Sequence, residues 1–387
     1  MTEPHLEDKI ADVKETEESA EFVLGENLAE IKDEKKKKKA IKKKTLIYIL
    51  FLVVSAAVIV GMILFEDRSG EPVDGKVALT LLGQNIPFTL LSFFAFFVMV
   101  TADAIVFRLL VKKLNASCSM ASCLKISLLG RYFDRITPWA IGGEPFQILY
   151  FKKSGLSSGD ACAVTMARHI IRFFSTAVAV IAIMASSAAK LDINIYVLIA
   201  AILSVAGGLV IPTFMLVCAF RPVVGRRIAS FFIRLLHKMK IIKDKEKAEG
   251  KVQKTVSEFL TGLKFLSANK SAIVLITLGA LIELFAMTSV PYFVMRALGK
   301  TEAVYWTVFV LCLFVNYSSS FAPTPGGAGI AELSFYTIFG SVIGGGLLFW
   351  AVLFWRVCVF YVPVFTGFAV QATSTVKEIV RLKRFKK

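Results

Sequence analysis

Two short segments of this sequence combine a Thr-Pro pair, a Gly-Gly pair and a carboxylate inside a strongly apolar chain. Their glycines and carboxylates are Gly142, Gly143 and Glu144 in the first segment, and Gly326, Gly327, Gly329 and Glu332 in the second. Proline and paired glycines break a membrane helix and leave backbone groups that hydrocarbon cannot satisfy, so such a loop must be buried in protein or line an aqueous cavity. A helix that restarts there offers free N–H groups and a positive dipole end to an anion such as a lipid phosphate. Tight helix packing through small residues is the alternative use of these glycines.

Ionisable residues also lie within apolar stretches, where each costs at least about 2.5 to 3.5 kcal/mol by insertion scales and therefore needs a partner or water. Arg168 and Arg172 lie one helical turn apart, so they could pair with Glu144 or Glu332, or bind a phosphate in bidentate fashion. For these arginines both phosphate binding and structural ion pairing stay open. We interpret His169, which lies between them, as a packing residue. Other members of this group are Asp103, Glu283 and Arg356. Arg131 and Arg135, with Asp134 between them, approach the first segment and could form its cytoplasmic mouth.

The composition predicts an all-α, polytopic membrane protein. Of the 387 residues, 56% are hydrophobic and 19% are charged, and the mean hydropathy is +0.67, whereas about 25% of the residues in soluble domains are charged. Six apolar runs reach the roughly 20 residues that a helix needs to cross about 30 Å of hydrocarbon. They cover residues 45–65, 77–100, 161–189, 193–220, 271–298 and 344–372.

The charged residues predict the orientation of the chain. The net charge of +17 comes from basic residues beside the ends of the apolar runs, which is typical of cytoplasmic loops rather than of nucleic-acid binding. Residues 1–44 are predicted to be a disordered acidic tail with a polybasic end, residues 45–376 the transmembrane domain, and residues 377–387 a basic tail. Residues 221–270 are predicted to be a basic cytoplasmic connection with two amphipathic helices at the membrane surface, either as a solvated connector or for lipid recognition. We expect a multi-pass plasma-membrane protein with both termini in the cytoplasm.

Two termini on one side require an even number of crossings, and the six runs satisfy this if both glycine segments form re-entrant hairpins. Basic residues flank the first segment, so its hairpin should enter from the cytoplasm. The second hairpin, residues 303–343, follows a run that leads outward and should enter from outside, although residues 303–321 could instead cross fully. Opposite entry predicts an inverted repeat, a common arrangement in transporters. It also predicts that Glu144 and Glu332 approach each other near mid-membrane.

The sequence has few features of an enzyme. Its histidines and cysteines lack the spacing of a metal site, and no nucleophile elbow or phosphate-binding loop is present. The six cysteines are scattered through or beside apolar segments, and we assign no role to any of them. We therefore expect neither a cofactor nor a metal, and we assign no catalytic residue.

Together, Arg131, the first glycine segment and the Thr-Pro-Gly-Gly-Ala-Gly segment ending at Glu332 resemble the lysylphosphatidylglycerol synthase transmembrane family. That family includes the membrane half of the multiple peptide resistance factor. The resemblance covers about residues 45–372 and implies a flippase-like, lipid-handling module linked to resistance to cationic peptides. Longer members carry a C-terminal domain that transfers lysine from lysyl-tRNA to phosphatidylglycerol, and this sequence stops at Lys387.

We therefore predict translocation or binding of an anionic or aminoacylated phospholipid, such as lysyl-phosphatidylglycerol. The alternative is a phosphatidylglycerol lysyltransferase or its accessory subunit, and only that alternative would involve a nucleic acid. A separate transferase or a second copy of the chain are further partners to test. The predicted substrate-binding residues are Arg131, Gly142, Gly143, Glu144, Arg168, Arg172, Gly326, Gly327, Gly329 and Glu332.

Overall fold

A computed structural model describes residues 73–137, 140, 142–188, 195–220, 223, 245–319, 322, 324–343 and 346–384. The predicted acidic tail and the first predicted span, residues 45–65, lie outside these residues. All regular elements in the described ranges are helical, in line with the predicted class. In chain order they are α1 (Gly75–Gln84), α2 (Ile86–Lys113), α3 (Met120–Ile136), α4 (Gly143–Lys153), α5 (Ser158–Ala188), α6 (Ile195–Phe220), α7 (Lys245–Ala268), α8 (Lys270–Ala297), α9 (Tyr305–Ser318), α10 (Ile330–Ile343), α11 (Leu347–Arg356) and α12 (Val362–Arg384).

Four helical stretches in the described residues are long and apolar enough to cross a membrane. They are Ile86–Lys113, Ser158–Ser187, Lys270–Ala297 and Leu347–Thr373. Three of them match predicted runs closely. The last is not one regular helix, because a π-helical turn, Val357–Tyr361, joins α11 to α12. The predicted run 193–220 is helix α6 with Pro212 inside it, and its described apolar core is the shorter stretch Ala201–Phe214.

The predicted span 77–100 is wrong in its bounds. The chain breaks at Asn85, and the long helix runs from Ile86 to Lys113. Pro87 lies in the first turn of α2, where a proline fits because its missing N–H would have no helical partner. Asn85 fixes the break by donating from Nδ2 to the carbonyl oxygens of Leu81 and Ala297. A hydropathy window averages across this break and so places the span too early.

Helices α2 and α8 form an antiparallel pair that defines the two ends of the bundle. At the Lys113 end, the Lys113 ammonium donates to Ser271 Oγ over 2.6 Å. At the Asn85 end, Asn85 Nδ2 lies 3.2 Å from the carbonyl oxygen of Ala297. Between them the helices approach closely, since a Cβ added at Gly279 would lie 2.5 Å from Val106 Cγ2. The Lys113 end is the one that the basic residues predict to be cytoplasmic.

The first glycine segment lies at the tip of a hairpin formed by α3 and α4. Helix α3 begins soon after Lys113, capped by Ser119, and runs back along α2. Helix α4 returns beside α3, with Gln147 filling the space above Gly130 and Tyr150 facing Lys125. At about 1.5 Å per residue, the 17 and 11 residues of these helices give lengths near 25 and 17 Å. Neither crosses about 30 Å of hydrocarbon, so the hairpin is re-entrant as predicted.

The second glycine segment is the tip of a hairpin formed by α9 and α10. Tyr305, at the start of α9, hydrogen-bonds Ser289 of α8, and the two helices run antiparallel from the Asn85 end. Helices α9 and α10 have 14 residues each, about 21 Å. This length excludes the full crossing considered for residues 303–321. The tip, a 3-10 turn at Pro325–Gly327, packs against α3 of the first hairpin.

The two hairpins enter from opposite ends of the bundle. The order of long helix, broken hairpin and long helix occurs first as α2, α3–α4 and α5, and again as α8, α9–α10 and α11–α12. Because α2 and α8 are antiparallel, the second set runs opposite to the first. This is the predicted inverted-repeat arrangement.

The described helix of the basic connection, α7, differs from its prediction. Its apolar side does not lie open for contact with lipid, because Leu263 and Leu266 are buried in the core. The helix packs along α5, where a Cβ added at Gly262 would lie 2.6 Å from Ala163 Cβ. The first predicted amphipathic helix lies outside the described residues.

Candidate functional site

A cluster of five charged side chains, which we call the central cluster, lies where α2, α3, α5 and α8 meet. Its members are Asp103, Arg131, Arg168, Arg172 and Glu283. Glu283 receives contacts from all three arginines, at 2.8 Å from Arg131 Nη2, 3.1 Å from Arg168 Nη2 and 3.4 Å from Arg172 Nη1. Asp103 pairs with Arg168 Nε and accepts a 2.8 Å hydrogen bond from Ser127 Oγ.

The three arginines of the central cluster differ in how far they reach solvent or a ligand. The side chain of Arg168 is 6% exposed and lies over the ring of Phe107, so it is a structural element of the core. Arg131 and Arg172 are 17% and 27% exposed. Within the described residues, the Nε atoms of both lack a hydrogen-bond partner. An unpaired buried donor costs about 1 to 3 kcal/mol, so the hydrogen bonding of these two guanidinium groups is incomplete.

A second group of contacts, which we call the tip cluster, holds the second glycine segment. Arg356 donates from Nη1 to the carbonyl oxygen of Gly326 over 3.1 Å, and its Nη2 lies 3.4 Å from that of Gly327. Its Nε lies 2.7 Å from Glu332 Oε1. Phe360 of the π-helical turn packs so closely that only glycine fits at position 326, where φ is +60°. A buried arginine thus fixes a backbone turn that hydrocarbon alone could not satisfy.

The N-terminal ends of the hairpin helices are already satisfied from within the chain. In the first segment, the N–H of Gly142 donates to Thr137 Oγ1 and that of Gly143 to Asp134 Oδ1. In the second, the N–H of Gly329 donates to Glu332 Oε2 over 2.7 Å. A phosphate could use these N–H groups only by displacing the side chains that now accept from them. These three glycine N–H groups therefore already have acceptors within the chain.

Glu144 and Glu332 have separate partners. The Glu144 Oε1 atom lies 2.6 Å from Nδ1 of His169, and both side chains are about 15% exposed. Glu332 pairs with Arg356. In sequence, Arg356 follows Glu332 at the same interval at which Arg168 follows Glu144, so the two halves repeat the placement of a carboxylate and an arginine. The proximity predicted for Glu144 and Glu332 remains a prediction.

Asp134 and Arg135 of α3 connect the central cluster to the tip cluster. Asp134 lies within electrostatic range of Glu144 and Arg172, and Arg135 within range of Arg131 and Arg356. With these two residues included, the described interior contains five arginines and five carboxylates. They are Arg131, Arg135, Arg168, Arg172 and Arg356, and Asp103, Asp134, Glu144, Glu283 and Glu332. The formal charges of this network balance when His169 is neutral.

The structure brings Arg131, Arg168 and Arg172 together, but with partners other than those considered from the sequence. Glu283 and Asp103 take the positions that Glu144 or Glu332 could have taken. Glu283 lies within a predicted apolar run and Asp103 just after one, which is the signal for an intramembrane partner. His169 does pack, with its ring 4.9 Å from that of Phe173, and it is also a hydrogen-bond partner. Across the described ranges, no group of His, Cys, Asp or Glu residues could hold a metal ion.

Comparison with known proteins gives two matches. The chain is 26% identical over 267 residues to a "UPF0104 membrane protein" of Archaeoglobus fulgidus, a match that covers 67% of this chain and 78% of that protein. The family model for the lysylphosphatidylglycerol synthase transmembrane region matches residues 46–367, which include α2 to α11, both hairpins and the central cluster. The chain therefore belongs to the lysylphosphatidylglycerol synthase transmembrane-region family.

Proposed function

We propose that this protein binds the phosphate of an anionic or aminoacylated phospholipid at Arg131 and Arg172 and moves the headgroup across the membrane. The observation that carries the proposal is a pair of incompletely paired guanidinium groups beside two hairpin tips inside an apolar helix bundle. Soluble phosphate ligands would not need such a position within membrane helices. A phospholipid brings its headgroup to this depth along the outside of the bundle.

The charges of the site suit a phosphodiester. Arg131 and Arg172 share Glu283, and the longer of these contacts, 3.4 Å from Arg172 Nη1, is the weaker one. A phosphate can therefore replace Glu283 at Arg172 while Arg131 and Arg168 keep the carboxylate neutralised. Arginine forms bidentate hydrogen bonds with phosphate, and these offset the free-energy cost of removing the phosphate from water. An ammonium group on the headgroup would find carboxylates at Glu144 and Asp134.

The opposed hairpins support movement rather than binding alone. Each tip ends inside the bundle, and the second tip rests on α3, the helix that carries Arg131. Inverted repeats allow one set of helices to rock against the other around a central site, so that the site opens to each side in turn. Membership in a lipid-handling family agrees with this reading.

Translocation can be tested in proteoliposomes containing phosphatidylglycerol with a fluorescent acyl chain, so that the headgroup stays native. A membrane-impermeant quencher reports the fraction of labelled lipid in the outer leaflet over time. We expect the wild-type protein to make inner-leaflet lipid accessible, and Arg172→Gln to slow this at least tenfold because one charged hydrogen bond to phosphate contributes about 1.5 to 3 kcal/mol. Arg108→Gln, which removes an exposed arginine from α2, should translocate lipid at the wild-type rate.

Equal rates for Arg172→Gln and wild type would remove the proposed role of this arginine. Empty liposomes and wild-type proteoliposomes with the same rate would end the translocation proposal altogether. The same preparation supplied with charged lysyl-tRNA tests the transferase alternative, since lysine incorporated into phosphatidylglycerol would identify that activity.

A further inference from the structure

We infer that the hydroxyl group of Tyr317, on the second hairpin, donates a hydrogen bond to the headgroup phosphate held at Arg172. The inference rests on the proposed function and adds to it a phosphate contact from the second half of the chain. It follows from the position of Tyr317 against helix α5 and from the hydrogen bonds around its hydroxyl group.

Tyr317 lies on α9, one residue before that helix ends at Ser318. Helix α9 packs against α5, and the half-buried side chain of Tyr317 reaches two α5 residues that are one helical turn apart. Its hydroxyl group hydrogen-bonds the side chain of Thr176 and lies within electrostatic range of Arg172. The hydroxyl group is therefore beside one of the two arginines proposed to bind the phosphate.

Tyr317 is the donor in its hydrogen bond with Thr176. Thr176 donates from Oγ1 to the carbonyl oxygen of Arg172 over 2.8 Å, so the single hydrogen of its hydroxyl group is already used. Thr176 can then only accept from Tyr317. The site therefore presents a second hydrogen-bond donor beside the guanidinium group of Arg172, and donors are the groups that a phosphate oxygen can pair with.

Lipid binding exchanges a neutral hydrogen bond of Tyr317 for a charge-assisted one. On binding, the hydroxyl hydrogen turns from Thr176 Oγ1 to an oxygen of the phosphate at Arg172. Hydrogen bonds to an ionised acceptor are roughly twice as strong as bonds between neutral groups. Thr176 keeps its own bond to the carbonyl oxygen of Arg172, so the exchange leaves no donor without an acceptor. It therefore favours the lipid-bound state.

The second half of the chain has a phenylalanine, Phe360, where the first half has Arg172. Phe360 follows Arg356 in the sequence at the same interval at which Arg172 follows Arg168. A phenylalanine ring offers phosphate no N–H or O–H donor, and Tyr317 supplies a donor from the second half instead. One phosphate then contacts α5 of the first half and α9 of the second, so its binding links the two inverted halves.

The test measures the binding of dioctanoyl phosphatidylglycerol to the purified full-length protein in detergent by isothermal titration calorimetry. Tyr317→Phe keeps the ring and removes only the hydroxyl group. We expect it to raise the dissociation constant about 2- to 12-fold, which corresponds to one net hydrogen bond. Arg172→Gln should raise the dissociation constant at least about tenfold, because it removes a hydrogen bond from a charged donor.

Tyr305→Phe is the matched control. Tyr305 lies at the other end of α9, and its hydroxyl group forms a 2.8 Å hydrogen bond with Ser289 Oγ of α8. Both variants thus lose one hydroxyl contact between α9 and a neighbouring helix, so a general loosening of α9 would affect binding in both. We expect only Tyr317→Phe to change the dissociation constant.

The outcomes separate this inference from the proposed function. Wild-type affinity in Tyr317→Phe, together with weaker binding in Arg172→Gln, overturns the inference and leaves the proposed function in place. Equal weakening in Tyr317→Phe and Tyr305→Phe also overturns it, because the effect would then come from the packing of α9. Absence of saturable binding to the wild type overturns both proposals. Glycerol phosphate, as a second probe without acyl chains, should bind more weakly, and an affinity equal to that of the lipid would indicate a soluble ligand and overturn both.

Discussion

Gly326 is the position at which the second hairpin tip should be most sensitive to a single methyl group. Its φ of +60° is in the left-handed region, which costs a residue with a Cβ about 1 to 2 kcal/mol. A Cβ there would also lie 2.0 Å from Cε2 and 2.5 Å from Cδ2 of Phe360. Overpacking of this kind costs about 1 to 3 kcal/mol. We therefore expect Gly326→Ala to lower the free energy of unfolding by about 2 to 5 kcal/mol, or about 30-fold to several-thousand-fold in the folded-to-unfolded ratio.

The two contributions can be measured separately by titrating detergent-solubilised protein with SDS and following helicity. Gly329→Ala carries a φ of +92° with no heavy atom within 4 Å of the added Cβ, so it should show the backbone cost alone. Phe360→Ala removes the ring that the added Cβ would meet. In a Phe360→Ala background, Gly326→Ala should therefore cost only the backbone term, about as much as Gly329→Ala costs in the wild type. Gly83→Ala, in helix α1 with open space around it, is the control and should be neutral or slightly stabilising. Equal midpoints for Gly326→Ala and Gly83→Ala would refute the reasoning.

Three further substitutions test the buried contacts in the same SDS titration. Glu283→Gln should lower the free energy of unfolding by about 3 to 5 kcal/mol, because it leaves the arginines around it without their shared carboxylate; an unchanged midpoint would show that these pairs are not maintained. Arg356→Lys should keep the pair with Glu332 but lose the second carbonyl contact, at a cost of about 1 to 3 kcal/mol, and faster proteolysis at the second tip would accompany it. Asp134→Ala should cost about 1 kcal/mol by removing the acceptor for the N–H of Gly143, and a stabilising effect would contradict that role.

The long helices could be predicted because the signal is local. A run of about 20 apolar residues crosses a bilayer whatever its neighbours are, and Lys270–Ala297 and Ser158–Ser187 follow their predicted runs closely. The error at residues 77–100 arose where a single residue, Asn85, breaks the helix by bonding to the distant carbonyl of Ala297. The surface position expected for the second helix of the basic connection, α7, was wrong for a similar reason. Its apolar face is equally suited to lipid and to a neighbouring helix, and α5 covers it in the fold.

The residues of the site were visible in the sequence, but their pairing was not. Acidic and basic side chains within apolar runs signal that partners exist. The sequence nevertheless offers several acidic residues that could pair with Arg168, and it does not select among them. Glu283 lies more than a hundred residues after Arg168 in the sequence. The two side chains can pair only because α5 and α8 pack side by side. His169 illustrates the same limit, since a single histidine carries no partner signal until α4 returns along α3 and places Glu144 beside it.

The sequence by itself determined that this chain is an all-α membrane protein with two broken hairpins entering from opposite sides. Hydropathy, charge asymmetry and proline-glycine breaks are local signals, because each depends on residues that are neighbours in the sequence. They can therefore be interpreted before the tertiary structure is known. Only the tertiary structure decided that Glu283 and Asp103 neutralise the arginines, that Arg356 fixes the second tip, and that the glycine N–H groups are already capped. Those outcomes depend on which helices come into contact, and contact selects among partners that the sequence leaves equivalent.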